Sequence, residues 1–366
     1  MKFARIFLWG VALMSSVSIP VSAATEGSVN ESGKFLNSEV RYRTTFSNTV
    51  EIAKAFIRTN REEPAPKQAL PVREIPAEEL QDRVEPVLYR LGHSTVLIRL
   101  DGEYLLTDPV FSNRASPVQW LGPKRFHQSP ISIEDLPELK AVIISHDHYD
   151  HLDKASVLAL EGKVKRFIVP LKVGDHLRRW GVEDSKITEL DWWEGTGFGS
   201  LTITATPAQH FSGRGLLDRD KTLWASWVIE GEQAKLFFSG DSGYFSGFRE
   251  IGERFGPFDV TMIEIGAYNE LWKEIHMLPE EGVQAHVDLQ GKAMLPIHNS
   301  TFDLALHDWF EPLESASEFA GRRNVNLLTP VIGEAVSISD PKSKRSWWRE
   351  VSGNQSEAGS KEAPAL

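Results

Sequence analysis

Residues 141–153 read AVIISHDHYDHLD, an apolar run that ends in three histidines and an aspartate at fixed offsets. In the extended turn after such a strand, His146 and His148 lie two residues apart and project to the same side. Asp150 and His151 continue past them, within reach of a second metal. Taken alone, the stretch has a plainer reading as a polar, exposed turn. Three further apolar runs end in the same way. LTITATPAQH delivers His210, KLFFSGDSG delivers Asp241 and AMLPIH delivers His298. A lone His or Asp at a strand end is more often a cap or a core-edge group. Four strand ends that all carry metal-type donors are different, because open sheets gather their sites at the carboxyl ends of strands. Seven donors with one shared carboxylate make a two-metal site.

Composition narrows the donors further. The 366 residues contain no cysteine, so disulfides, thiol nucleophiles, iron–sulfur clusters and thiolate-bound zinc are excluded. Any metal is held by His and carboxylates. A net charge of −11 argues against a nucleic-acid partner. Lys2 and Arg5 precede an apolar run that closes on Val21-Ser22-Ala23. This reads as a secretory signal over residues 1–23, and so as a periplasmic or secreted protein, with an uncleaved N-terminal anchor as the alternative.

The organisation expected is a polar N-terminal extension over 24–85, one catalytic domain over 86–340 and a disordered tail over 341–366. Within the extension, 49–58 has the pattern of a short amphipathic helix. Strands are predicted over 87–91, 95–100, 104–107, 141–144, 167–169, 201–206, 223–229, 236–238, 260–263 and 293–297. Asp101-Gly102 marks a hairpin turn. Helices are predicted over 154–160, 173–180, 245–255, 279–289 and 304–313. The alternation of the two defines an α/β chain.

The H-x-H-x-D-H run with a later His, Asp and His resembles the metallo-β-lactamase superfamily. The words LGHSTVLIRLDGEYLLTDPVFSNRASPVQWLGPKR, ELDWWE, TPAQHFSGRGLLDRDKTLWASWVI, GDSGY, EIGAY and HMLPEEGVQAH extend the resemblance to its N-acylphosphatidylethanolamine-hydrolysing phospholipase D branch, over roughly 86–313. The resemblance implies a four-layer αβ/βα sandwich with two mixed sheets. It implies two Zn²⁺ per chain, with Mn or Fe not excluded by the donor types. His146, His148 and His210 would hold one ion. Asp150, His151 and His298 would hold the other, and Asp241 would bridge. Asp150, Asp241 and His276 are the expected catalytic residues, with His276 near the substrate head group. His93, Asp108, Tyr149 and Tyr268 are expected behind the ligands or against the substrate. Asp108 reads equally well as a turn residue before Pro109.

The activity implied is a phosphodiesterase of phospholipase D type acting on N-acylphosphatidylethanolamine-like lipids. The alternatives are a metal-dependent lactonase on the same fold and a noncatalytic metal-binding protein. The partners expected are a phospholipid or other phosphodiester substrate and no nucleic acid; peripheral membrane contact and a homodimer are left open. The chain departs from the branch in three places: Asn299-Ser300 stands where Trp-Gly is usual, Lys273-Glu274 where the branch is more apolar, and Leu278 where Asn is common. These put head-group and acyl-chain recognition in doubt and leave the ligand positions intact. Of the eleven Trp residues, most are expected in the core. Trp347 and Trp348 are expected in a solvated tail, with an anionic lipid surface as the alternative. His127, His176, His286 and His307 are read as structural or surface residues.

Overall fold

The computed structural model describes residues 27–40, 46–215 and 217–353. The expected signal segment lies outside them. In chain order the strands are β1 (Val29–Glu31), β2 (Lys34–Leu36), β3 (Val87–Gly92), β4 (Thr95–Leu100), β5 (Glu103–Thr107), β6 (Ala141–Ile143), β7 (Phe167–Pro170) and β8 (Ile187–Leu190). They continue with β9 (Gly195–Phe198), β10 (Leu201–Thr206), β11 (Ser226–Glu230), β12 (Lys235–Phe238), β13 (Phe258–Glu264), β14 (Gly291–Ile297) and β15 (Ala335–Ser337). The α-helices are α1 (Phe46–Arg58), α2 (Ala77–Asp82), α3 (Lys154–Leu160), α4 (Gly174–Trp180), α5 (Gly247–Phe255), α6 (Pro279–Asp288), α7 (Glu311–Arg323) and α8 (Trp347–Ser352).

A seven-stranded sheet has the order β15-β3-β4-β5-β6-β7-β8, and a six-stranded sheet the order β14-β13-β12-β11-β10-β9. Strand direction follows from the pairing. β4 is antiparallel to both β3 and β5, and β5 to β8 run parallel, so β3, β5 and β6 end at one edge. In the other sheet β11 is antiparallel to both β10 and β12, and β12 to β14 run parallel. The ends of β10, β12, β13 and β14 therefore share an edge too. These two edges carry the site.

Side-chain alternation builds the layers. Val96, Ile98 and Leu100 of β4 pack inward with Trp227 and Ile229 of β11 and Leu236 and Phe238 of β12. Leu97 points the other way, into a cluster with Leu80 of α2, Val157 of α3 and Leu177 of α4. Val228 and Phe237 likewise face outward, against Phe248 of α5, Val283 of α6 and Ala316 of α7. The result is a helix–sheet–sheet–helix sandwich, in which each fully buried aliphatic side chain contributes about 1.5–3 kcal/mol. Asp101 and Gly102, both at positive φ (51° and 83°), turn β4 into β5 as their sequence predicts. The Asp101 carboxylate then accepts the amides of Glu232 and Gln233, tying this hairpin to the turn after β11.

Several expectations are corrected. The helix expected over 304–313 begins only at Glu311, because Pro312 sits in its first turn, where its ring excludes a preceding helical turn. The tail is not solvated from 341 onward. Helix α8 buries both Trp347 and Trp348 against the six-stranded sheet's helices. The Trp348 indole donates to Glu314 (2.7 Å), and Arg349 meets the same carboxylate with two bonds. That leaves no free tryptophan pair for a lipid surface. The extension is also part of the body, since Val72 bridges to Ile332 and Asn37 reaches the loop after β10. Trp192, Trp224, Trp227 and Trp272 are buried as core residues, whereas Trp120 is exposed. Trp348→Ala is expected to destabilise the fold by about 3–5 kcal/mol in urea unfolding; a loss below about 1 kcal/mol would mean that α8 is not docked in solution.

Candidate metal centre

Each donor sits just past a strand end. His146, His148, Asp150 and His151 occupy the loop after β6, His210 follows β10, Asp241 follows β12 and His298 follows β14. Their ligand atoms fall into groups: His146, His148 and His210 form one, and Asp150, His151 and His298 join His93 in a second, each within 4.8 Å of one another. Asp241 lies between them. Its Oδ2 is 3.1 Å from the Nε2 atoms of His151 and His298, and 3.9 and 3.8 Å from those of His146 and His210. On the first side His148 Nδ1 is 2.9 Å from His146 Nε2 and 3.3 Å from His210 Nε2.

The groups behind the rings set their orientation. Asp108, inaccessible to water, accepts from the Ser145 amide (2.7 Å), the Ser145 hydroxyl (2.6 Å) and His151 Nδ1 (2.7 Å). Ser145 Oγ, with its proton so used, accepts from His146 Nδ1 (2.9 Å). His210 Nδ1 donates to the Ile275 carbonyl (2.9 Å). In each ring Nδ1 is thus engaged from behind, which leaves Nε2 on the side of Asp241. Asp108 thus orients a ring as well as ending a strand. Close packing of the loops needs glycine at Gly240, which has φ 55° and where a Cβ would lie 2.4 Å from that of Ser145.

Electrostatics follow from burial. Desolvation, with the neighbouring imidazoles, holds His146 and His210 well below the usual histidine range and pushes His148 down to about 4. Burial also pushes His93 down to about 3; its Nε2 faces Asp150 Oδ2 at 3.1 Å. Burial works the same way on His151 and His298, but the charges of Asp241 and Asp150 outweigh it. They hold His151 well above the usual range and His298 up at about 10. The donor set fits a pair of cations. His151 Nε2, His298 Nε2 and Asp241 Oδ1 are buried with no hydrogen-bond partner, which is costly for polar atoms and is relieved by coordination.

Other expected residues land as follows. His276 sits at the rim, with its ring 5.0 Å from that of His210 and its Nδ1 4.0 Å from Asp241 Oδ2. Tyr149 and Tyr268 do not join the donors. Tyr149 donates to the Arg214 carbonyl under a guanidinium 4.0 Å from its ring, and Tyr268 donates to Glu311 and stacks on His307. His127, His176 and His286 are hydrogen-bonded structural groups, while His307 also borders a cleft of about 310 Å³, open mouth included, beside His298. Phe126, Phe302, Leu304 and Trp309 give that cleft its apolar wall.

Sequence reading missed four supports. Asp147, between two donor histidines, accepts from the Gly213 amide (2.7 Å) and faces His176. Asn37 brackets His210, accepting its amide and donating to its carbonyl. Buried Arg90 donates to the Asn299 side chain (2.9 Å), which accounts for Asn at that departure from the family pattern. Glu264, at the end of β13, accepts from His276 Nδ1 (2.8 Å). Only the acid in EIGAY, at a strand end level with the others, carried a signal in sequence.

The chain belongs to the metallo-β-lactamase superfamily: the family model described as Beta-lactamase superfamily domain matches residues 103–299, a span holding all seven donors. It is a metallo-β-lactamase-fold hydrolase. An uncharacterized protein of Mycobacterium tuberculosis is 48% identical over 262 residues, 70% of each chain. The N-acyl-phosphatidylethanolamine-hydrolyzing phospholipase D 1 of Caenorhabditis elegans is 36% identical over 289 residues, 74% of this chain and 81% of that protein. In fold, the chain is similar to a metallo hydrolase from the archaeon Ignicoccus hospitalis, with TM-score 0.54 and 22% identity over 69% of this chain and 98% of that one.

Asp108→Asn tests the ring orientation. An amide NH₂ facing His151 Nδ1 favours the wrong tautomer, so zinc affinity measured by chelator competition is expected to fall about 10–100-fold. Unchanged affinity would remove Asp108 from the metal centre.

Proposed function

We propose that the protein is a dinuclear zinc phosphodiesterase of phospholipase D type, acting on N-acylphosphatidylethanolamine-like lipids. The observation that carries the reading is Asp241 Oδ2, set between two groups of donor rings. His146, His148 and His210 would hold one ion, and Asp150, His151 and His298 the other, with Asp241 shared. Ions bound there would acidify a water and neutralise charge on the phosphoryl oxygens. The chain's own residues do the rest. Asp108, Ser145 and the Ile275 carbonyl keep the ring protons on Nδ1. His93 pairs with Asp150 and closes that side of the crevice. His276, at the rim, contacts the phosphate or hands a proton to the leaving oxygen.

The kinship with the Caenorhabditis elegans phospholipase D supports the phosphodiester over other bonds. The second reading is a lactonase using the same donors; the departures around Asn299, Lys273 and Leu278 bear on what the crevice recognises and leave those donors intact. The export reading rests on residues 1–23 alone. Intact mass of the protein from the periplasm or medium beginning at Ala24 would support cleavage, a membrane-bound chain beginning at Met1 would support the uncleaved anchor, and protein confined to the cytoplasm would overturn export.

Purified protein with two equivalents of zinc is expected to release phosphatidic acid from N-acylphosphatidylethanolamine and nitrophenol from bis(nitrophenyl) phosphate. His148→Ala and Asp241→Asn should each lower kcat/KM by at least on the order of 10²–10³-fold. Release of neither product sinks the phosphodiesterase reading; turnover confined to a lactone panel moves the assignment to the second. Activity unchanged in both variants would mean that the site lies elsewhere.

A further inference from the structure

Glu264 is fully buried, and a carboxylate in that position is expensive unless it is paired. It is paired on both oxygens. Oε1 accepts the amides of Ser242 (2.8 Å), next to Asp241, and of Met277 (3.3 Å), next to His276. Oε2 accepts from His276 Nδ1 at 2.8 Å. The same Oε2 is the acid oxygen facing His298 Nδ1, 4.0 Å away, an atom buried with no hydrogen-bond partner. One side chain therefore braces the loop of Asp241 and the loop of His276, and lies behind a donor ring without bonding it.

The partners of Glu264 decide where the proton on His276 sits. Ionised, Glu264 has only acceptor capacity at Oε2, and the ring then donates from Nδ1. Nε2, the atom on the far side of the ring, then faces away from Glu264. The His276 side chain is partly exposed, at 13%, while Glu264 beneath it sees no water. The ring is thus held from below and open from above.

We propose that Glu264 is the positioning residue of His276: it fixes the proton on Nδ1 and leaves Nε2, the nitrogen turned away from Glu264, as the acceptor on the partly exposed ring. The proposal rests on the function above only for what His276 acts on. The arrangement resembles the carboxylate–imidazole pairs that set ring tautomer in other active sites, where the acid acts through the ring and does not touch substrate. Loss of Glu264 therefore affects turnover more than binding.

The test uses zinc-loaded protein labelled with ¹⁵N-histidine. Long-range ¹H–¹⁵N correlation spectra, assigned with His276→Ala, are expected to show His276 protonated at Nδ1. In Glu264→Gln the Oε1 acceptor is kept, but an NH₂ now faces Nδ1 and draws the proton to Nε2. With bis(nitrophenyl) phosphate, that variant should lose at least about tenfold in kcat with KM within about twofold and zinc content unchanged. The double variant Glu264→Gln/His276→Ala should be no slower than His276→Ala alone. An unprotonated Nδ1 in the native protein overturns the proposal, and so does a double variant whose loss is the product of the single losses. The native spectrum decides the matter even if Glu264→Gln fails to fold. It is also independent of turnover, so absence of phosphodiesterase activity would count against the proposed function and not against this pairing.

Discussion

Asp241 is a carboxylate almost without access to water, set at the meeting point of two sheets with four histidine rings around it. Burying an anion is among the costliest things a fold does, and the cost is recovered only where positive partners are held in place. The rest of the molecule is arranged around that requirement. Asp108, Asp147, Asp150 and Glu264 bring further acid groups to the same edge, each facing a histidine ring. No single helix or sheet presents so many groups to one point. Two sheets packed face to face do, because strand directions put the ends of β3, β5 and β6 opposite those of β10, β12, β13 and β14.

The sheets were legible in the sequence where alternation was strong and both faces buried. β4 and β10 start and stop at the expected residues, and β13 and β14 run two residues longer at their N-terminal ends. Of the edge strands, β14 was legible but β8, β9 and β15 were not. β9 reads GTGF, with glycines where a strand pattern needs side chains, and it exists because β10 offers it a partner. β15 is three residues long and is recruited by β3 in the same way. Trp347 and Trp348 sit among Lys, Arg and Ser, so local composition argued for solvent. What buries them is a surface made by α7 and its neighbours, which no local pattern encodes.

The site divides along the same line. The donors announced themselves because coordination needs particular residue types at strand ends, and spacing carries that information. The supporting residues did not. Asn37 lies 173 positions before His210, and Arg90 lies 209 before Asn299, so only the folded chain makes them neighbours. Tyr149 and Tyr268 were expected near substrate because they adjoin motif residues. Adjacency in sequence says little about direction: Tyr149 turns toward Arg214 and Tyr268 toward Glu311.

Strain at the turns explains how the donors are kept apart and still aimed inward. His93, Asp108, Ala267, His298 and Ser300 all have positive φ, between 32° and 60°, a backbone state that costs a non-glycine residue of order 1–3 kcal/mol. Hydrogen bonds within and between the sheets hold these turns. The His298 amide donates to the His93 carbonyl, the His93 amide to Thr301 Oγ1, and the Asp108 amide to the Ile143 carbonyl. His93 hangs from the seven-stranded sheet and His298 from the six-stranded one, so the first of these bonds stitches together the two halves of the site. Arg90 adds a second stitch through Asn299. These links are made by the protein alone and, with the Asp108–His151 bond, they fix the turns from which the donor rings project.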